Sequence, residues 1–279
     1  NGNTLNAGGG RISIVYSTEA EGADDVGGMV FDVQCGALSS NFNLNNMADC
    51  GTLYFPDSKL FLAQDGAGFG GQLYIPGFDS WTTSGDYAVA RHLRFVNEGF
   101  VLHVQGDLVV TGATARLDIG GYDVEPAFWV ASPSIKWFQK YHSGDAPWSV
   151  TVDGDMRIEN GAKFEAFPAV AAMTNEATGY GAFVAVGGQL KTGAGSFVVV
   201  RADATNGASV AISASSVDVQ TGGTVSAEDF GFQFQYGPGR GWGSGCGGGH
   251  GGYGGGCYTN NGVVFGGTYG DSLHPWQPG

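Results

Sequence analysis

The sequence predicts an all-β chain wound into a right-handed parallel β-helix, on three observations. Runs of Val, Ile, Leu, Phe and Thr, four to six residues long, alternate with Gly, Asn, Asp and Ser. Strong helix-forming stretches and two-residue hairpin signals are scarce. A motif also recurs: a polar dipeptide, an apolar residue, then alternation ending in Gly. It reads "QGDLVVTGA" from Gln105, "DGDMRIENGA" from Asp153, "GGQLKTGAG" from Gly187 and "SSVDVQTGG" from Ser215, so successive starts lie 48, 34 and 28 residues apart. Strands recurring at that scale suit a solenoid, in which each turn packs only on its neighbours. Leu108, Met156, Leu190 and Val217 are then expected at one inward position of successive turns.

Residues 1–100 read as an N-terminal β region forming the first turns, with "RISIVYS", "GMVFDVQ", "TLYF" and "KLFLAQ" as strands. Residues 101–235 read as the β-helix core. Within them "ASPSIKWFQKYHSGD" breaks the pattern: Ser132 suits an N-cap, Pro133 a first helical position and Ser143-Gly144 a stop. A short helix or ordered loop is expected near 133–142. Residues 236–279 form a Gly-rich loop and a Pro/Gly-rich extension.

The chain has 279 residues, 12 basic and 26 acidic, for a net charge of −14. Such a field repels nucleic acid and anionic membranes. No apolar run approaches the roughly 18 residues of a membrane span. The chain opens "NGNTLNAGGG" with no initiator Met, as a processed protein or a segment of a longer one would.

Four cysteines, Cys35, Cys50, Cys246 and Cys257, suit disulfides and an oxidising, extracellular or cell-surface setting. Three connectivities are open; the local pairs Cys35–Cys50 and Cys246–Cys257 are the simplest. Each would contribute about 3 kcal/mol by loop-closure entropy. Zinc is the rival use of four cysteines, and CxxC spacing is absent. The tract "GPGRGWGSGCGGGHGGYGGGC" contains no Gly-Lys dipeptide and no helix pattern follows it, which argues against a phosphate loop. His250 lacks ligand partners at useful spacing. The tract is expected to be an ordered loop closed by a disulfide.

Several of these motifs occur together in a known setting. "GGGRISIVYS", "GTLYFPD", "GDMRIENGAKFEA", "GGTVSAED", "GGGHGGYGG" and "YGDSLHPWQPG" follow one another here in an order that resembles the Gly-rich, autotransporter-like parallel β-helix modules of large secreted bacterial surface proteins. The resemblance touches most of the chain, most densely 150–279. It implies one module of an extracellular array, whose partners are like modules or identical subunits. Residues 41–50 and 125–148 depart from that pattern.

Asp153, Asp155 and Glu159 cluster as turn formers do. Asp24, Asp25, Asp153 and Asp155 are weak calcium candidates; no other cofactor is expected. Lys140, Tyr141 and His142 beside Arg157 suit a polysaccharide lyase, and Trp129, Trp137, Tyr141, His142 and Arg157 a glycan-binding surface on extracellular polysaccharide. A packed aromatic segment with surface charges explains the same residues. GxSxG, HExxH and CxxCH are absent. The sequence therefore favours a structural, self-associating surface module, stacked end to end because neither terminus offers a capping helix. A carbohydrate-active protein (polysaccharide lyase, glycoside hydrolase or glycan-binding module) is the alternative.

Overall fold

The computed structural model describes residues 9–16, 28–34, 50–120, 146–169, 180–202, 208–227, 238–241, 249, 253–259 and 262–268. Its elements are β1 (Arg11–Ser13), β2 (Phe31–Asp32), β3 (Thr52–Tyr54), α1 (Lys59–Leu62), β4 (Phe69–Tyr74), β5 (Ser80–Thr83), β6 (Tyr87–Val89) and β7 (His92–Phe95). They continue as β8 (Val101–Val104), β9 (Leu108–Thr111), β10 (Arg116–Ile119), β11 (Trp148–Val152), β12 (Met156–Glu159), β13 (Lys163–Ala166), β14 (Tyr180–Thr192) and β15 (Phe197–Val200). The last are β16 (Ser209–Val219), β17 (Thr224–Ser226), β18 (Cys257–Thr259) and β19 (Gly262–Val264).

The chain is all-β and its two large sheets are parallel throughout; only β18 and β19 pair antiparallel among the described residues. The strands fall into three columns. The first holds β5, β8, β11 and the first halves of β14 and β16. The second holds β6, β9, β12 and the second halves of β14 and β16. The third holds β7, β10, β13, β15 and β17, and continues past β7 through β4, β3 and β1. Each tier crosses the columns in order, and β14 and β16 run unbroken through the corner where earlier tiers split into two strands. Leu108, Met156, Leu190 and Val217 are register partners, as expected.

The uneven repeat has a simple origin. From the first column to the second, Leu102 to Leu108, Val150 to Met156 and Val184 to Leu190 each advance six residues. From the second to the third, Met156 to Phe164, Leu190 to Val198 and Val217 to Val225 each advance eight. Ile212 to Val217 advances five, Tyr87 to Leu93 six and Leu108 to Leu117 nine, so most but not all of the variation lies between the third strand of one tier and the first strand of the next.

The turn between the first two columns carries the repeated Gly-Asp. The Asp86 carboxylate accepts the Asp107 N–H at 2.8 Å, Asp107 accepts that of Asp155 at 2.8 Å, and Asp155 accepts that of Gln189 at 2.8 Å. Beside them Gly154 N–H donates to Gly106 O at 3.0 Å and Gly188 N–H to Gly154 O at 2.9 Å. Each carboxylate leans over the glycine of the next tier. A Cβ at Gly106, Gly154 or Gly188 would fall far inside contact distance of Asp86, Asp107 or Asp155 Oδ1 respectively. Gly85, at the matching place in the first tier, has nothing within 4 Å. Turn, repeat and stacking are thus one feature, legible as "GD" in the sequence.

Inward side chains form one continuous core from Val33 to Val198, with Leu102, Val104, Leu108, Val110, Leu117 and Phe164 fully buried. α1 was not anticipated. It is one turn long, the Asp57 carboxylate accepts the Lys59 N–H at 3.0 Å, and it buries Leu60 and Phe61. The Phe61 ring meets Trp81 at 4.9 Å, Phe69 at 5.2 Å, Phe78 at 5.5 Å and Phe95 at 5.9 Å between centroids. This aromatic cluster covers the core beneath the first tier, beside the further strands β4, β3 and β1 of the third column. Four residues are too short to leave a helical period in the sequence. The predicted helix at 133–142 lies outside the described residues. Among them, no helix is long and apolar enough to cross a membrane.

Replacing Gly106, Gly154 or Gly188 with Ala is expected to cost about 1–3 kcal/mol, by overpacking against backbone and carboxylate. Gly85→Ala should leave stability within about 0.5 kcal/mol. Denaturant midpoints of the four variants check the contrast; equal losses at all four would refute the ladder. Asp107→Ala should cost about 1–3 kcal/mol, because it leaves the part-buried N–H of Asp155 without its acceptor and removes the ion-pair partner of Arg157.

Candidate functional site

The densest chemistry lies on the outer side of the third column. In β7, β10 and β13 one set of alternate residues, Leu93, Phe95, Leu117, Ile119, Phe164 and Ala166, faces the core. The other set is His92, Arg94, Arg116, Asp118, Lys163 and Glu165, and it is buried as well. Parallel register puts Arg116 between His92 and Lys163, and Asp118 between Arg94 and Glu165.

Two carboxylates organise the cluster. Asp118 accepts from Arg94 Nη2 at 2.7 Å and Nε at 3.1 Å, and from Arg116 Nε, with His92 Nε2 at 2.8 Å. Glu165 accepts from Arg116 Nη2 and from Arg201 Nε. Lys163 Nζ lies 2.6 Å from Glu165 Oε2, close enough for an ion pair but out of line for a hydrogen bond. The Phe167 ring carries the Arg94 guanidinium at 4.9 Å and that of Arg201 at 5.1 Å.

Burial alone would raise both carboxyls; the guanidinium groups outweigh it. Arg116 and Arg94, then His92, hold Asp118 well below the usual range. Arg116, Lys163 and Arg201 bring Glu165 to about 2. Burial lowers the His92 pKa despite Asp118. Burial and the Arg116 charge lower Lys163 to about 8.

Cys50 Sγ stands 3.6 Å from His92 Nε2, so Cys50, His92 and Asp118 assemble the residue types of a nucleophilic triad. The geometry does not serve one. The same ring nitrogen faces both sulfur and carboxylate, so the carboxylate cannot orient the ring through one nitrogen while the other takes the thiol proton. The group is also sealed from water. What it does is tie four tiers together by charge.

The sequence-derived candidates are dispersed. Arg157 Nη1 pairs with Asp107 at 2.8 Å and Nε lies 3.9 Å from Glu159, which Lys191 also approaches at 3.9 Å. Asp153 meets His103 Nε2 at 3.0 Å on the surface, and Asp155 is spent on the turn ladder. Among the described residues no group of His, Cys, Asp or Glu is arranged to hold a metal. Trp129, Trp137, Tyr141, His142, Asp24, Asp25, Cys35 and Cys246 lie outside the described residues, as therefore do both expected disulfides; Cys257 begins β18. Of the Gly-rich tract, Gly249 N–H donates to Gly239 O at 2.8 Å and Gly254 N–H to Gly266 O at 3.2 Å. The buried cluster was missed, although "HLRF", "RLDI" and "KFEA" place a charge at alternate residues of corresponding strands.

Stability should rise from pH 8 to pH 10 by about 1–3 kcal/mol, because the unfolded chain still holds the Lys163 proton that the folded chain has released. Lys163→Met should flatten that rise in pH-dependent denaturant midpoints. On the acid side stability should fall below pH 6.5 as the unfolded state protonates His92. It should fall further from about 4.5 toward 2 as Glu165 takes its proton.

The chain matches no protein-family model, and neither a curated protein nor a solved structure is significantly similar to it.

Proposed function

We propose that the chain is a right-handed parallel β-helix serving as a structural module of an extracellular or cell-surface assembly, where it self-associates or repeats into a fibre, stalk or coat. The observation that carries this reading is the in-register stack of tiers with its apolar core open at the last one, at Val217, Val219 and Val225. A solenoid buries such an end against a further repeat or another molecule. The Gly-rich composition, net charge of −14 and resemblance to surface β-helix modules support the setting.

Light scattering and electron microscopy of the native material test it. Association that grows with concentration is expected. A monodisperse monomer at high concentration would overturn it and favour the carbohydrate-active alternative.

A further inference from the structure

The two ends of the tier stack differ. Down each inward column burial is complete until the last tier. Leu108 and Met156 are 0% exposed and Leu190 3%, but Val217 is 60%. Ile158 and Thr192 are 0% exposed and Val219 47%; Phe164 and Val198 are 0% and Val225 46%. Among the described residues no strand pairs with the far side of β16 or β17. From Val210 to Val219 that edge carries Asp218 as its only charge and no proline, so it lacks the features that protect an edge strand. At the first tier the core is instead covered, with Phe61 and Trp81 packed together and buried.

We propose that the β16–β17 edge pairs antiparallel with the same edge of a second copy of this chain, about a two-fold axis passing between Ala214 and Ser215; this rests on the self-associating reading above. The sequence of β16 is self-complementary about that point. The inward residues Val210 and Ile212 meet the inward Val219 and Val217 of the second copy. The outward residues Ala211 and Ser213 meet Asp218 and Ser216. β16 turns the corner between the first and second columns here, where its register with β14 shifts between Val186 and Gln189. A two-fold through the corner exchanges the columns, keeps inward side chains inward, and sets Val225 opposite its own copy.

Charge favours the same partner. Asp218 faces Ala211, so two chains of net charge −14 meet on this edge without opposing like charges. A head-to-tail contact would instead press the open core onto the first tier, whose core Phe61 already covers. The two-fold contact covers core with core and joins two copies at this edge.

Sedimentation velocity on the full chain tests the proposal. A dimer is expected. Val217→Lys with Val219→Lys should weaken it at least roughly 100-fold while leaving the circular dichroism unchanged, since both sites are already half open in the monomer. Chains carrying Ser213→Cys mixed with chains carrying Ser216→Cys should cross-link, and neither should do so alone. An open-ended polymer, or a dimer that survives the lysine pair, would overturn the two-fold edge while self-association stands. A monomer would overturn both, and slow amide exchange in β16 of that monomer would show the chain's own segments covering the edge.

Discussion

Everything in this molecule depends on the hydrogen bond that each turn carboxylate accepts from the tier above. Asp86, Asp107 and Asp155 each reach across one strand spacing to the backbone of the next turn. The reach leaves no room for a side chain on the intervening glycine. Because the carboxylate is fixed to one N–H, it sets the register of both flanking columns at once. A slip of one residue would turn Leu102, Val150 and Val184 outward. The apolar core supplies most of the cohesion, but it cannot choose among registers that bury similar residues. The polar turn can.

The third column solves the opposite problem. Its strands β7, β10 and β13 are buried on both faces, so their outer side chains must be apolar or charge-matched. The chain uses charge, with Asp118 and Glu165 as hubs for cations on neighbouring strands. Ion pairs of this kind contribute little net stability compared with apolar replacements, but losing one partner exposes the full cost of a buried charge. The layer is therefore better understood as a constraint on pairing than as a source of cohesion. It also binds His92 and Lys163 into a setting where neither holds its proton as it would in water.

The parts of this fold that were legible were those written in one local stretch. "QGDLVV", "DGDMRI" and "GGQLKT" announced the turn, the inward residue and the register in a few positions each. The parallel stack followed from their order. α1 was illegible because a single turn carries no period and its anchor, Phe61, looks like any strand residue. The charged cluster was illegible for another reason. His92, Arg116 and Lys163 are tens of residues apart, and only the register brings them side by side. Arg157 reads as a sugar contact because its cation, beside Lys140, Tyr141 and His142, suits a polysaccharide lyase; the partner that holds it, Asp107, lies one tier away.

The concentration of length variation at one corner has a consequence for how such a chain can change. Residues 121–145 lie between β10 and β11, 170–179 between β13 and β14, and 203–207 between β15 and β16, all at the junction from the third column to the first. Closing a loop costs an entropy that grows only with the logarithm of its length, about 0.6 kcal/mol for each doubling. Inside a tier the steps stay between five and nine residues, so a long insertion there would pull the columns out of line. The chain is thus most elastic in sequence along one vertical seam, so new recognition surfaces can be sewn into that seam while the stacked turns keep their register.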